Sequence, residues 1–237
     1  SDRRIITYGF SPQADVRAEN MTTGPDGTTF DVAISNRKTG ESRTISGITL
    51  AMYGVHNVQN ALAAVAIATE MGLDDDVLNR ALSTFEGVKR RFTQTGVVDG
   101  ITIIDDYGHH PVEIKATLSA ACAGWSRRVI AVFQPHRYSR TQALFDDFLT
   151  AFYQADHVAV MDIYAAGEEP IPEASAEKLA DGISEHGHKS CCYTGDAEAT
   201  IEHLQAVLRP GDIVITLGAG NVWQVGTRLF QLLEGKA

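Results

Sequence analysis

The sequence predicts an α/β protein whose larger part is a mostly parallel, doubly wound sheet. Three observations carry that expectation. From about residue 97 onward, β-branched apolar runs alternate five times with helical stretches, the pattern of strand–helix units that build a parallel sheet. Before that, residues 3–50 hold only short strand-like runs, followed by an Ala-rich helical stretch, so a smaller α/β part precedes the larger one. The length of 237 residues and a hydrophobic content of 44% allow more than one core.

The elements follow in order. "RIITYGF", "ADVRAENM", "TTFDVAIS" and "SRTISGITL" read as strands, with "GPDG" (24–27) and "RKTGE" (37–41) as turns between them. "NVQNALAAVAIATEMGL" is helical and stops at Gly72; "DDDVLNRALSTFEG" is a second helix with a charged first turn. The two form a helical hairpin on the preceding sheet. "VKRRFTQTG" (88–96) is polar and basic, and the boundary is placed there, with 1–93 as one part and 94–237 as the other. Then "ITIIDD" leads to a helix over 111–123 and "RVIAVFQ" to one over 141–154. "HVAVMDIY" leads to 175–186, "KSCCYT" to 196–208 and "DIVITLGAG" to 221–234. "GEEPIPEAS" (167–175) is the one long loop.

Charge and cysteine usage exclude several classes. A formal net charge of −10 argues against a nucleic-acid-binding surface, whose footprint is a basic stripe. Cys122, Cys191 and Cys192 make an odd count with two adjacent, which argues against a disulfide framework and for a reducing cytoplasm. No apolar run approaches the roughly 18 residues that suggest a membrane span, and no secretory-leader pattern is visible. The chain opens "SDRRIITYGF" without Met, so the expectation is a piece of a larger protein.

Polar residues gather at strand ends. "DDYGHHP" (105–111) puts Asp105, Asp106, Tyr107, His109 and His110 where a strand hands over to a helix, the place where open α/β sheets bind ligands. Pro111 suits the first turn of that helix. The bland alternative is an Asp that only caps the helix and a surface His pair. Adjacent His do not chelate from a helix, so both are read as hydrogen-bonding groups. "FQPHRYSRT" (133–141) supplies His136, Arg137 and Arg140 at a second strand end; guanidinium groups suit carboxylate and phosphate. Their bland alternative is ion pairing with Asp146 and Asp147. Asn57 and Asn60 stand three apart at a helix start, either as an N-cap or as carboxamides reading a base edge. "TLGAGN" (216–221) is a Gly-rich turn open to an anion at a helix start. "HGHKSCC" (186–192) lacks two spaced ligand pairs, so no metal ligand is assigned. A G-x-x-x-x-G-K-[ST] phosphate loop is absent from these residues.

"TYGFSPQADVRAENM", "GVHNVQNALAAVAIATEMGL", "RRF", "DDYGHHPVEI", "FQPHRYSRT" and "TLGAGN" together resemble the Mur ligase family, in its order and over essentially the whole chain. The resemblance implies the last part of a central ATP-binding domain followed by a Rossmann-like C-terminal ligase domain. It implies an ATP-dependent ligase of peptidoglycan synthesis that joins L-alanine to UDP-N-acetylmuramate through an acyl-phosphate. Asn57 and Asn60 would then contact adenine. Arg91 and Asp106 would hold the ATP phosphates and ribose. Tyr107, His109, His136, Arg137 and Arg140 would line the pocket for L-alanine and the reacting carboxyl. ATP and Mg2+ would be the cofactors, their main ligands lying upstream with the phosphate loop, so these residues alone are expected to be inactive. The alternatives are a relative that adds a whole tripeptide to the same UDP-sugar, and a nucleotide-binding module without catalysis.

Overall fold

A computed structural model describes residues 5–24, 27–36, 39–52, 54–85 and 87–235. The chain divides into two compact units, Ser1–Gly87 and Val88–Ala237.

In the first unit β1 (Tyr8–Gly9), β2 (Val16–Gly24), β3 (Gly27–Ser35) and β4 (Ser42–Leu50) form one sheet in that order. β1 runs parallel to β2 and the other pairs are antiparallel. Alternate residues of β3, including Phe30, Val32 and Ile34, face inward, as the pleat requires. α1 (Val55–Glu70) and α2 (Asp75–Ser83) cover that face. Val58, Ala61, Leu62, Val65 and Ala66 recur at helical spacing and are buried with Phe30, Val32, Ile48 and Leu50. Full burial of a side chain such as Leu62 or Val65 stabilises the unit by roughly 1.5–3 kcal/mol. "RIITYGF" shrinks to the two residues of β1. α2 stops at Ser83, with Thr84 as its C-cap. The turns "GPDG" and "RKTGE" fall partly on Pro25, Asp26, Arg37 and Lys38, outside the described residues, as does Glu86 in the stretch after α2.

The second unit is built on a six-stranded sheet. Its strands are β5 (Thr93–Val98), β6 (Ile101–Asp106), β7 (Val129–Phe133), β8 (His157–Met161), β9 (Cys191–Gly195) and β10 (Ile213–Leu217), in the order β5-β6-β10-β7-β8-β9. All pairs are parallel except β5–β6. Part of "VKRRFTQTG" is therefore an antiparallel edge strand, where the sequence read only a polar connection. A strand paired on one side and exposed on alternate residues carries little apolar signal. The interior strands β6, β7, β8 and β10 are buried along their whole length, so they read as continuous apolar runs.

The helices are α3 (Pro111–Gly124), α4 (Tyr138–Ala143), α5 (Phe145–Phe148), α6 (Ala176–Glu185), α7 (Ala197–Val207) and α8 (Trp223–Glu234). One face of the sheet packs Ile103, Ile130, Val132 and Val214 against Ile201 and Leu204 of α7 and Val225 and Leu229 of α8. On the other face Phe133 meets Phe148 and Phe152, ring centroids 5.3 and 5.1 Å away. The helix expected over 141–154 is instead two short ones. Leu144, at φ −111° and ψ 17°, ends α4 and starts α5, and the turn that follows aims Phe152 at the sheet.

Candidate active site

The strands end level with one another. Asp105 pairs with Thr216 and Asp106 with Leu217 across β6–β10, and Leu217 pairs with Phe133 across β10–β7. The loops after β6, β7, β8 and β10 therefore rise from one end of the sheet, where ligands of such folds bind.

The β6 loop is held from below by its two carboxylates. Asp106 is 5% exposed. Its Oδ1 accepts from Gly108 N at 2.7 Å and Thr117 Oγ1 at 3.1 Å, and its Oδ2 from Phe92 N at 2.8 Å. A Cβ on Gly108 would lie 2.7 Å from Asp106 Oδ1, so the tight turn requires glycine. Burial and three internal bonds make Asp106 the anchor of the loop. Asp105 Oδ1 accepts from Thr216 Oγ1 at 2.8 Å, and its Oδ2 is 3.1 Å from Arg90 Nε. Burial raises the Asp105 pKa, against the opposing pull of Thr216 and Arg90.

Arg90 is the arginine that the fold engages. Its guanidinium also donates to the Gly218 carbonyl and lies 5.0 Å from the centre of the Tyr107 ring. Arg91 is exposed, near enough to Glu113 to help lower that group's pKa. Replacing Arg90 with Met is expected to cost about 3 kcal/mol at pH 7, because it strands a buried carboxylate. Without Arg90 the Asp105 pKa rises further above its unfolded value. The penalty therefore fades as pH falls and grows as pH rises through the folded pKa. Urea unfolding of the variant at pH 7 and pH 5 measures this; an equal penalty at both would place the loss outside the ion pair.

Neither Asp caps α3. The N-cap is His110, whose Nδ1 accepts from Val112 N at 3.3 Å, while Glu113 Oε2 accepts from His110 N at 3.1 Å and His109 N at 3.0 Å, a capping box with Pro111 in its first turn. These backbone bonds hold the Glu113 pKa low despite its burial. His109 also reaches the Glu113 carboxylate, Nδ1 to Oε2 at 3.6 Å. Its Nδ1 lies 3.0 Å from the Tyr107 carbonyl, its ring meets the Tyr107 edge at 5.3 Å, and it stands 5.7 Å from the His136 ring.

That last contact joins the two loops. His136 stacks on Tyr164 at 5.6 Å, and Arg137 N donates to the Tyr164 carbonyl at 2.8 Å, tying the β7 loop to the β8 loop. Arg140 Nη1 lies 3.0 Å from His136 Nδ1 and donates to the His136 carbonyl at 3.3 Å. A guanidinium can only donate, so His136 Nδ1 accepts and its proton sits on Nε2. Burial, then Arg140, His109 and Arg137, lower the His136 pKa, so the ring is neutral at neutral pH. Arg137 takes up φ 72° and is half exposed. Its Nη1 is 3.6 Å from Glu168 Oε1, and Glu168 accepts from Ser139 N and Oγ at 3.0 and 2.6 Å. The ion-pair partner of Arg137 is thus Glu168 of the long loop, not Asp146 or Asp147.

The Gly-rich turn is filled by a side chain. Gln134 Oε1 accepts from Val222 N at 3.1 Å and its Nε2 donates to Asn221 Oδ1 at 2.8 Å. A Cβ on Gly220 would fall 2.4 Å from Gln134 Oε1 and 2.7 Å from Tyr164 Cγ. A carboxamide therefore takes the place at the start of α8 that the sequence offered to an anion. Arg90 was marked in the sequence only as a charge beside Arg91, and Gln134, Tyr164, Thr216 and Glu168 were not singled out; a polar residue ending an apolar strand was the available signal for Gln134 and Thr216.

In the first unit Gly54, not an Asn, is the N-cap of α1. Asn57 is buried and Asn60 is exposed, one helical turn apart. In "HGHKSCC", His186 Nδ1 meets the Gly182 carbonyl, and His188 is buried against the carbonyls of Phe152 and Ala155. Burial pushes the Cys191 thiol up to about 12. No helix among the described residues is long and apolar enough to cross a membrane.

Known proteins share this architecture and sequence. Residues 90–220 match the glutamate ligase domain of Mur ligases, and residues 1–68 match the Mur ligase middle domain. The UDP-N-acetylmuramate–L-alanine ligase of Rhodospirillum rubrum is 58% identical over 98% of this chain and 48% of its own length. The crystal structure of the Thermotoga maritima UDP-N-acetylmuramate–alanine ligase shares the fold, with a TM-score of 0.76 at 23% identity over 98% of this chain and 48% of that one. The Psychrobacter arcticus murein peptide ligase gives 0.66 at 25% identity over 96% and 46%. The chain spans about half the length of the curated relatives it matches. With the middle domain and the ligase domain matched in sequence order, the chain belongs to the Mur ligase family.

Proposed function

We propose that the chain is part of an ATP-dependent ligase of the cytoplasm that joins L-alanine to UDP-N-acetylmuramate in peptidoglycan synthesis. The observation that carries the reading is the meeting of the β6 and β7 loops at His109 and His136, with Arg140 fixed beside them. Such a ligase activates a carboxylate with ATP and lets an amine attack the acyl-phosphate. The step develops negative charge on the carboxyl oxygen and the leaving phosphate. Preorganised cationic and N–H donors stabilise that charge. Arg140 and the Nε2–H of His136 supply such donors. Arg137 adds a second fork if it leaves Glu168. Tyr107 and His109 are assigned to the facing wall of the L-alanine pocket.

Asn57 and Asn60 are assigned to the adenine and the exposed Arg91 to the ATP phosphates. Mg2+ serves the whole enzyme, but the described residues offer it no site. Asp105 and Asp106 are buried and internally bonded, and the one grouping of three metal-binding side chains is a nitrogen–sulfur set that does not suit a hard, oxygen-seeking ion. No step is derived through that ion.

The test replaces the matching half of the Rhodospirillum rubrum ligase with these 237 residues and follows phosphate release with UDP-N-acetylmuramate and ATP. Turnover dependent on L-alanine is expected. Turnover with a tripeptide and none with L-alanine would reassign the substrate, and no turnover with either, in a folded graft that binds ATP, would leave a nucleotide-binding module.

A further inference from the structure

The amino ends of the strands carry a second constellation. His157 opens β8, Cys192 lies in β9 and His203 projects from α7. The Nε2 atoms of His157 and His203 are 2.8 Å apart, and Cys192 Sγ lies 3.5 Å from His203 Nε2 and 4.0 Å from His157 Nε2. We propose that His157, Cys192 and His203 form a binding site for a zinc-class transition-metal ion, at the end of the sheet opposite the strand-end cluster.

Four observations support it. First, three ligand atoms from three different elements converge within 4.8 Å of one another. A tetrahedral zinc ion, with Zn–N about 2.0–2.1 Å and Zn–S about 2.3 Å, sets edges of roughly 3.3 Å between two nitrogens and 3.6 Å between nitrogen and sulfur. The Cys192–His203 edge is already there, and the other two need adjustments of about half an ångström. Second, His157 is oriented from behind. Its Nδ1 lies 2.8 Å from Ser190 Oγ, and Ser190 N donates to His188 Nδ1 at 3.2 Å. With Nδ1–H donating to the hydroxyl, the Nε2 lone pair faces the cluster, the arrangement of metal-bound histidines.

Third, both rings are ready ligands. Burial, His203, Arg128 and His188 lower the His157 pKa to about 4, and burial lowers that of His203, so neither ring is charged at neutral pH. Fourth, the donor set is chemically matched: imidazole and thiolate select zinc over magnesium or calcium, although burial raises the Cys192 pKa and the ion must displace the thiol proton to bind. The nearby positive charge of Arg128 opposes a cation, but its guanidinium is turned to Asp212 at 3.6 Å and the Val207 carbonyl at 3.2 Å. Three protein ligands leave a fourth tetrahedral position for water or an exogenous group. β9 is the edge strand and both Cys192 and His203 are half-buried, which gives an ion a path from solvent. The competing account is a neutral His–His hydrogen bond beside a thiol, with no ion.

The experiment is equilibrium dialysis of the reduced 237-residue chain against Zn2+, with the metal content of the protein measured. One zinc per chain is expected, and Cys192→Ser and His203→Gln should each weaken binding by about 100-fold or more. His186→Ala, which leaves the cluster intact, should bind like the parent. With Co2+ as the probe, the parent should show thiolate-to-cobalt absorption that Cys192→Ser lacks. Absence of stoichiometric zinc, or binding unchanged in both ligand variants, would overturn the site. If either ligand variant fails to fold, Ser190→Ala decides: about tenfold weaker zinc binding supports the site, and unchanged binding overturns it.

Discussion

Arg140→Ala in the grafted ligase is expected to lower kcat/KM by about 100-fold or more, as loss of a preorganised donor does elsewhere. The variant should stay folded. Arg140 is half-buried in α4, and its guanidinium meets the ring and carbonyl of His136, so no core cavity opens. Two further readouts separate a role in chemistry from one in scaffolding. Burial and then Arg140 lower the His136 pKa, so removing Arg140 should shift the acid limb of the kcat/KM profile to higher pH. Arg140→Lys should restore activity only in part, since a single ammonium cannot reach both the ring nitrogen and a substrate oxygen as a planar fork can. KM for UDP-N-acetylmuramate should change less than kcat. Wild-type kinetics with an unmoved pH profile would reduce Arg140 to a surface cation.

Asp106→Ala is expected to cost about 3–5 kcal/mol of stability. The carboxylate satisfies Phe92 N, Gly108 N and Thr117 Oγ1 in a site with almost no solvent, and each donor left without a partner there costs about 1–3 kcal/mol. For a unit of this size the loss corresponds to a melting temperature lower by roughly 6–20 °C. Asp106→Asn keeps one acceptor oxygen but turns an amide N–H toward other donors, so about half that cost is expected. Thermal melts followed by circular dichroism measure both. A loss below about 1 kcal/mol in the Ala variant would mean that the loop does not depend on this anchor.

The contrast between Arg90 and Arg91 shows where sequence reading stops. Strand–helix alternation located all five strand–helix units of the second sheet, four of them because fully buried strands write themselves as apolar runs and the fifth, at half-buried β9, by its place between two helical stretches. The same runs located "DDYGHHP" and "FQPHRYSRT" at strand ends, and the two loops do meet. Adjacent arginines carry no such mark. Arg90 and Phe92 have φ values of 64° and 53°, and that left-handed turn decides which guanidinium faces inward. Asp106 was legible as important but not as an anchor, since three of its partners are a serially distant N–H, a neighbouring N–H and a helix hydroxyl. His157 and His203 lie 46 residues apart and were invisible as a pair. Parallel strand pairing, which brings residue 157 beside residues 190–192, assembles them without any local spacing.

The position of β10 has a consequence for how the protein is made. Of the six strands of this sheet it comes last in sequence, yet it is hydrogen-bonded between β6 and β7. Without it those two strands would face each other across about 9.5 Å, twice the normal strand spacing, with no backbone partners. A nascent chain that has emerged only through α7 can gather β7, β8 and β9 with their helices, but it cannot join β6 to them. Thr216, which holds Asp105, and Gly218, whose carbonyl takes Arg90, arrive with the same segment. Such long-range closure is slow to form. Vectorial synthesis thus builds the walls of the strand-end cluster separately and brings them together when β10 inserts, so that a ribosome-bound chain that ends before Ile213 should be folded in part and lack the cluster altogether.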